Sequence, residues 1–283
     1  MTRFSWTLGL ILFAATLPAA ADDTVTLKYK YATGQVLRYE GKHTMTVEST
    51  VSGKTQKLES ETNSVREWRV LKVDEKGNAR LALTIVRASV EATTPDGQKI
   101  AFDTEKDEKT PLSGVVGKPL VELVLSPSGQ VVEMGQPLHP AASQFVANLR
   151  TQLVPLPPQA VAVGTAWQQD VTLPLPPPEG RDEKIRVRQT YRLEKLTDSV
   201  ATINLQSTLA EEIKDRTVVE RIAQFLPRGR IELDVSRGVV RTLDLVLDQK
   251  VTEFAGTDSV MTVSGSDREV LKELVAGVEP KRQ

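Results

Sequence analysis

Residues 39–51 read YEGKHTMTVESTV. Their odd positions are Tyr39, Gly41, His43, Met45, Val47, Ser49 and Val51, and the even ones are Glu40, Lys42, Thr44, Thr46, Glu48 and Thr50. Successive side chains of an extended chain point to opposite faces. This period of two therefore predicts a long strand with one buried and one wet face. Ser52-Gly53 supplies a tight turn, and a second long strand runs to about Val73 with Leu58, Trp68 and Val70 in phase.

Working outward, the same grammar repeats. Lys76-Gly77-Asn78 turns the chain into a strand over 79–93, Pro95-Asp96-Gly97 turns it again, and Lys99 to Phe102 begins another. Leu120–Leu125 and Val131–Met134 flank Ser126-Pro127-Ser128-Gly129, a further hairpin. Beyond Pro140 the period changes. Ala142, Phe145, Val146, Leu149 and Leu153 fall at helical spacing, with Pro155, Pro157 and Pro158 as terminators. The reading is a linking helix and Pro-rich joint over 140–158.

A second β half over 159–283 repeats the first, over 22–139, in outline. Gly34-Gln35-Val36-Leu37 matches Gly164-Thr165-Ala166-Trp167, the run from Trp68 to Leu83 matches Tyr191 to Leu205, and Val121-Glu122-Leu123 matches Ile231-Glu232-Leu233. Val239 to Phe254 reads as a long strand partnered by Ser259 to Val263. Ser266 and Glu269 have the form of a capping box, which predicts a short C-terminal helix from Asp267 to about Val275. Residues 211–224 fit a strand and a short helix equally well. The fold class is mainly β: long antiparallel strands in two related halves, as partial barrels or curved sheets, with a linking helix and a C-terminal helix.

The first 21 residues give a location. Arg3, the apolar run Leu8 to Leu17 and Ala19-Ala20-Ala21 before Asp22 form an export signal. Its apolar core is too short for a bilayer, which takes roughly 20 residues. The expectation is an exported protein, periplasmic in a bacterium or alternatively extracellular, with no membrane span after cleavage. The chain contains no cysteine, which excludes disulfides, thiolate metal sites and a cysteine nucleophile. Lys and Arg number 36 against 37 Asp and Glu, so no basic field exists to draw nucleic acid.

Chemistry is sparse. Of two histidines, His139 lies in a loop and His43 on the apolar face of the first strand. Asp103, Glu105, Asp107 and Glu108 imitate a calcium loop, but Glu108 stands where the turn requires glycine, and Gly114 where it requires a bidentate glutamate. No nucleophile elbow surrounds Ser126, Ser128 or Ser236. Neither a catalytic residue, a metal site nor a cofactor is predicted. Glu67 and Glu122 are strand carboxylates that a glycoside hydrolase would need to bring together.

The openings YATGQVLRY at 31–39 and VAVGTAW at 161–167, with the Leu-Ser-Pro-Ser-Gly hairpin at 125–129, resemble a family of exported bacterial proteins of unknown function. No activity comes with that resemblance. In outline the chain is also similar to periplasmic lipoprotein carriers, which shelter acyl chains in an open half-barrel. The function expected is a non-enzymatic envelope protein holding an apolar ligand in a curved sheet, with Tyr39, His43, Met45 and Trp68 near the mouth of its cavity. The alternatives are a protein-interaction or scaffold module, with an envelope protein as partner through a strand edge or the Pro-rich segment 174–184, and a hydrolase using paired carboxylates.

Overall fold

A computed structural model describes residues 24–143, 149, 153–175 and 183–277. Twelve strands form one antiparallel sheet. They are β1 (Val36–Val51), β2 (Lys54–Val73), β3 (Ala79–Thr93), β4 (Lys99–Asp103), β5 (Pro119–Leu125), β6 (Val131–Met134), β7 (Ala166–Leu175), β8 (Glu183–Leu196), β9 (Val200–Leu209), β10 (Arg228–Asp234), β11 (Val239–Thr252) and β12 (Val260–Val275). Their spatial order is β6-β5-β3-β2-β1-β12-β11-β10-β9-β8-β7, with β4 also on β3. Edges β6 and β7 do not meet, so the sheet stays open. The turn at Ser52-Gly53 has positive φ at both residues, 49° and 73°, the geometry whose twist matches that of flanking strands.

The centre of the sheet is the β1–β12 pair, which runs from Val36↔Val275 to Thr50↔Val260 and joins the first and last strands. Here one expectation is corrected. Asp267 to Val275 is strand, not a C-terminal helix. The residues of the supposed capping box bond sideways: Ser266 shares a 2.9 Å hydroxyl hydrogen bond with Thr44, and Glu269 is ion-paired with Arg66 on β2. The apolar spacing in this strand is set by a bulge. Tyr39 pairs with Leu271 and Arg38 with Glu273, so Lys272 is an extra residue in a β-bulge. The bulge reverses the alternation and brings Leu271 and Leu274, three apart, onto the same core.

Most of the buried side chains lie on one face, the inner face, with Val36, Val65 and Ala82 buried on the other. One cluster gathers Leu37, Leu81, Leu83, Leu120, Leu123 and Leu125, with Val239, Leu271 and Leu274 packed against it from the far end of the chain. A second gathers Tyr191, Leu193, Ile203, Leu205, Ile231, Leu233 and Leu245 with Leu27, Val154 and Val161. The N-terminal segment thus serves the second cluster: Val25 bridges Val161, and the Tyr29 hydroxyl donates to the Val154 carbonyl at 3.0 Å. The outer face is laced with ion pairs instead. Arg188–Asp170 at 2.8 Å, Arg228–Asp248 at 2.9 Å and Arg38–Glu67 at 2.9 Å are examples.

Residues 211–224, ambiguous in sequence, contain helix α1 (Arg216–Ile222), which continues into a 3-10 turn over Ala223–Phe225. Asp215 caps α1 by accepting from the Thr217 N–H at 2.9 Å. Val218 and Ile222 pack on Leu173 and Val187, while Ala223 packs on Leu247 and Met261, so the segment lies on the inner face. Of the linking helix, the structure shows a 3-10 turn at Pro140–Ala142, with Ala142 and Leu149 buried; 144–148 and 150–152 lie outside the described residues. So do 176–182 of the Pro-rich segment.

Candidate functional site

Two adjoining cavities lie against the inner face at the middle of the sheet. The larger, about 480 Å³, is floored by β2, β1 and β12 and walled by Ile85, Ala88 and Val90 of β3 and Leu243, Leu245 and Leu247 of β11. Leu112, Val115, Ala142 and Phe225 add to the lining from the segments that leave β4, β6 and β9. The smaller, about 90 Å³, lies among Tyr29, Tyr31, Leu37, Tyr39, Trp68, Leu81 and Leu149. Arg66, Leu243 and Glu269 border both.

Strand pairing fixes the floor as a grid. One row reads Val90, Thr62, His43, Asp267 and Leu245 across β3, β2, β1, β12 and β11. The next reads Ala88, Ser64, Gly41, Glu269 and Leu243. Polar side chains thus occupy the three central strands, and apolar ones occupy the walls. Gly41 matters here. A Cβ on it would stand 3.3 Å from the Ser64 hydroxyl and 3.4 Å from the Glu269 carboxylate. The bare backbone leaves space through which Arg66 on β2 reaches Glu269 on β12. Their side chains are only 13% and 18% exposed. Burial lowers the pKa of Arg66 from its ordinary value, opposed by the Asp267 carboxylate and the Tyr39 hydroxyl. The Tyr39 hydroxyl donates to the Val240 carbonyl at 2.9 Å, and burial pushes its pKa up.

The four residues singled out from sequence all project from this face. His43 and Met45 line the larger cavity; Tyr39 and Trp68 line the smaller. The odd-numbered positions of β1 from Tyr39 to Ser49 are half-buried, because their cover is partial: Tyr39 packs against the first core and Met45 and Val47 against the cluster around Ala223 and Leu247, while His43 and Met45 also border the cavity. Sequence reasoning missed Arg66, Asp267 and Glu269. Arg66 carried a signal, being a charge in phase with Trp68 and Leu58. The two acids were hidden by the helix assigned to their segment.

The other constellations resolve into local structure. Glu67 accepts from Arg38 at 2.9 Å and Arg69 at 2.8 Å, and Glu122 lies 3.6 Å from Arg80, so both carboxylates are engaged on the outer face. Asp103 and Asp107 accept backbone N–H groups of their own loop, from Glu105 and Asp103 respectively. Among the described residues no three His, Asp or Glu side chains form a group able to hold a metal ion, and no helix is long and apolar enough to cross a membrane.

No protein-family model matches the sequence, and no curated protein matches it. Among solved structures, the fold is similar to that of lipovitellin, in a structure describing lipid–protein interactions, at 11% identity and a TM-score of 0.53. The likeness covers 90% of this chain, which spans only 27% of the lipovitellin chain. DynF from the dynemicin pathway of Micromonospora chersina and a DUF1329 family protein from Desulfovibrio piger align over 96% and 87% of the chain at 10% identity, with TM-scores of 0.17 and 0.16. These comparisons show a likeness of fold alone, an open antiparallel sheet similar to part of lipovitellin.

Proposed function

We propose that this chain is an exported, non-enzymatic protein of the bacterial cell envelope that holds an apolar molecule of the lipid class against the inner face of its open sheet. The observation that carries the reading is the 480 Å³ cavity, with aliphatic walls on β3 and β11 and a few polar groups on the floor. Its size falls within the range of about 300–1,000 Å³ typical of small-molecule sites, and its lining has their usual composition. A fold shared with lipovitellin, described for its lipid–protein interactions, supports the same reading. The signal-like residues 1–21 support export.

Native mass spectrometry of protein purified gently from the envelope of its host tests this directly. The expected result is a stoichiometric mass excess that organic extraction removes and identifies. Ala88→Phe, which fills the cavity from β3, should reduce that excess without unfolding the protein. A wild-type mass equal to that of the bare chain would overturn the reading.

A further inference from the structure

Polar groups on the floor of an apolar cavity decide which end of an amphiphile is welcome. Among the described residues, the charged side chains lining the larger cavity are Arg66, Glu269 and Asp267, with the His43 imidazole beside them. Arg66 and Glu269 neutralise one another as an ion pair. Asp267 is partly buried on the adjacent row, between His43 and Leu245, and no salt-bridge partner for it stands among the described residues. One guanidinium against two carboxylates leaves the floor with one surplus negative charge.

A carboxylate in a low-dielectric site is stabilised by an opposite charge and opposed by a like one. An entering anion would meet Asp267 and a guanidinium already committed to Glu269. An entering cation would give Asp267 a contact partner in addition to the more distant field of Arg66, on a floor to which Thr62 and Ser64 add polar surface. Resting on the apolar-ligand reading above, we infer that the cavity selects amphiphiles with a cationic head, the ammonium seated against Asp267 and the chain lying along Leu243, Leu245 and Ile85.

Calorimetric titration of the delipidated full-length protein with dodecylamine, dodecanol and laurate tests this at pH 8 and low salt, below the concentrations at which each aggregates. Expected affinities fall in that order, with dodecylamine at least about tenfold tighter than laurate, since like charges in contact cost several kcal/mol. Asp267→Asn should weaken dodecylamine by about tenfold and strengthen laurate. Added salt should weaken dodecylamine binding to the wild type while leaving dodecanol unchanged, a readout that needs no variant to fold. Laurate binding as tightly as dodecylamine would overturn the cationic preference and leave the apolar-ligand reading intact. Failure of all three to bind would overturn both.

Discussion

Replacing Arg66 by methionine should destabilise the protein chiefly through the residue left behind. Glu269 would keep its charge at a site where its side chain is 18% exposed and where its guanidinium partner is gone. Breaking a buried pair from one side costs about 3–5 kcal/mol, because the surviving charge remains desolvated. The residual exposure places Arg66→Met near the lower end, at about 3 kcal/mol. Glu269→Leu should cost less, about 1–2 kcal/mol, since Arg66 still feels the Asp267 carboxylate. In the double variant neither charge of the pair is orphaned, and its deficit should fall to about 2 kcal/mol or less, the remainder arising because Asp267 loses the field of Arg66. Urea unfolding at pH 7.5, with midpoints compared at constant slope, measures all three. Strict additivity of the single effects, or an Arg66→Met variant within about 1 kcal/mol of wild type, would refute the reasoning.

Three other outcomes follow from the same sheet. A Cβ at Gly265 would run into the Thr44 carbonyl on the paired strand, so Gly265→Ala should lower stability by about 1–3 kcal/mol in thermal or chemical unfolding; an unchanged midpoint would contradict the close approach of β12 and β1. Burial alone would raise the pKa of Glu67, but hydrogen bonds from Arg38 and Arg69 prevail and hold it below the ordinary carboxylate range. Its contribution is therefore complete above the unfolded value of about 4.3 and lost as pH falls through the folded one, so Glu67→Gln should be less stable at pH 7 and decline less steeply on acidification below about pH 4. A fragment ending at Leu153 should aggregate instead of unfolding cooperatively, because β1 loses its pairing with β12 from Val36 to Thr50 and the first core loses Val239, Leu271 and Leu274; a soluble, cooperatively melting fragment would show that the first half holds a core of its own.

The strands were legible because alternation and turn chemistry are local. Tyr39 to Val51 announces β1, and Ser52-Gly53 announces the hairpin to β2. What a local signal could not supply was the partner of each strand. Leu271 and Leu274 look helical by spacing, and only the register with Tyr39 and Arg38 shows that Lys272 bulges out between them. The cavity was half legible for the same reason. Tyr39, His43, Met45 and Trp68 share the in-phase face of two neighbouring strands, whereas Asp267, Glu269 and the β11 leucines reach that face through pairings over more than 200 residues. A polar residue inside an apolar phase, as with Arg66 between Leu58 and Trp68, is the one signal that would have pointed there from sequence.

The two faces of the sheet explain why the cavity is where it is. Outward side chains form exposed ion pairs such as Arg188–Asp170 and Arg228–Asp248, which need no cover and contribute little each. The inner face is apolar, and an open sheet must cover such a face with something else. Part of the cover is chain. β9 and β10 are neighbours that a short turn could join, yet the segment from 210 to 227 folds back across the inner face with α1, and the segment from 104 to 118 brings Leu112 and Val115 over the opposite wall. Between these two covers the sheet presents Ile85, Val90, Leu243 and Leu245 to open space beside a floor carrying His43, Asp267 and Glu269. Water solvates such a floor well and such walls poorly. An amphiphile satisfies both surfaces at once, and that division between polar floor and apolar wall is what the ligand series above is designed to read.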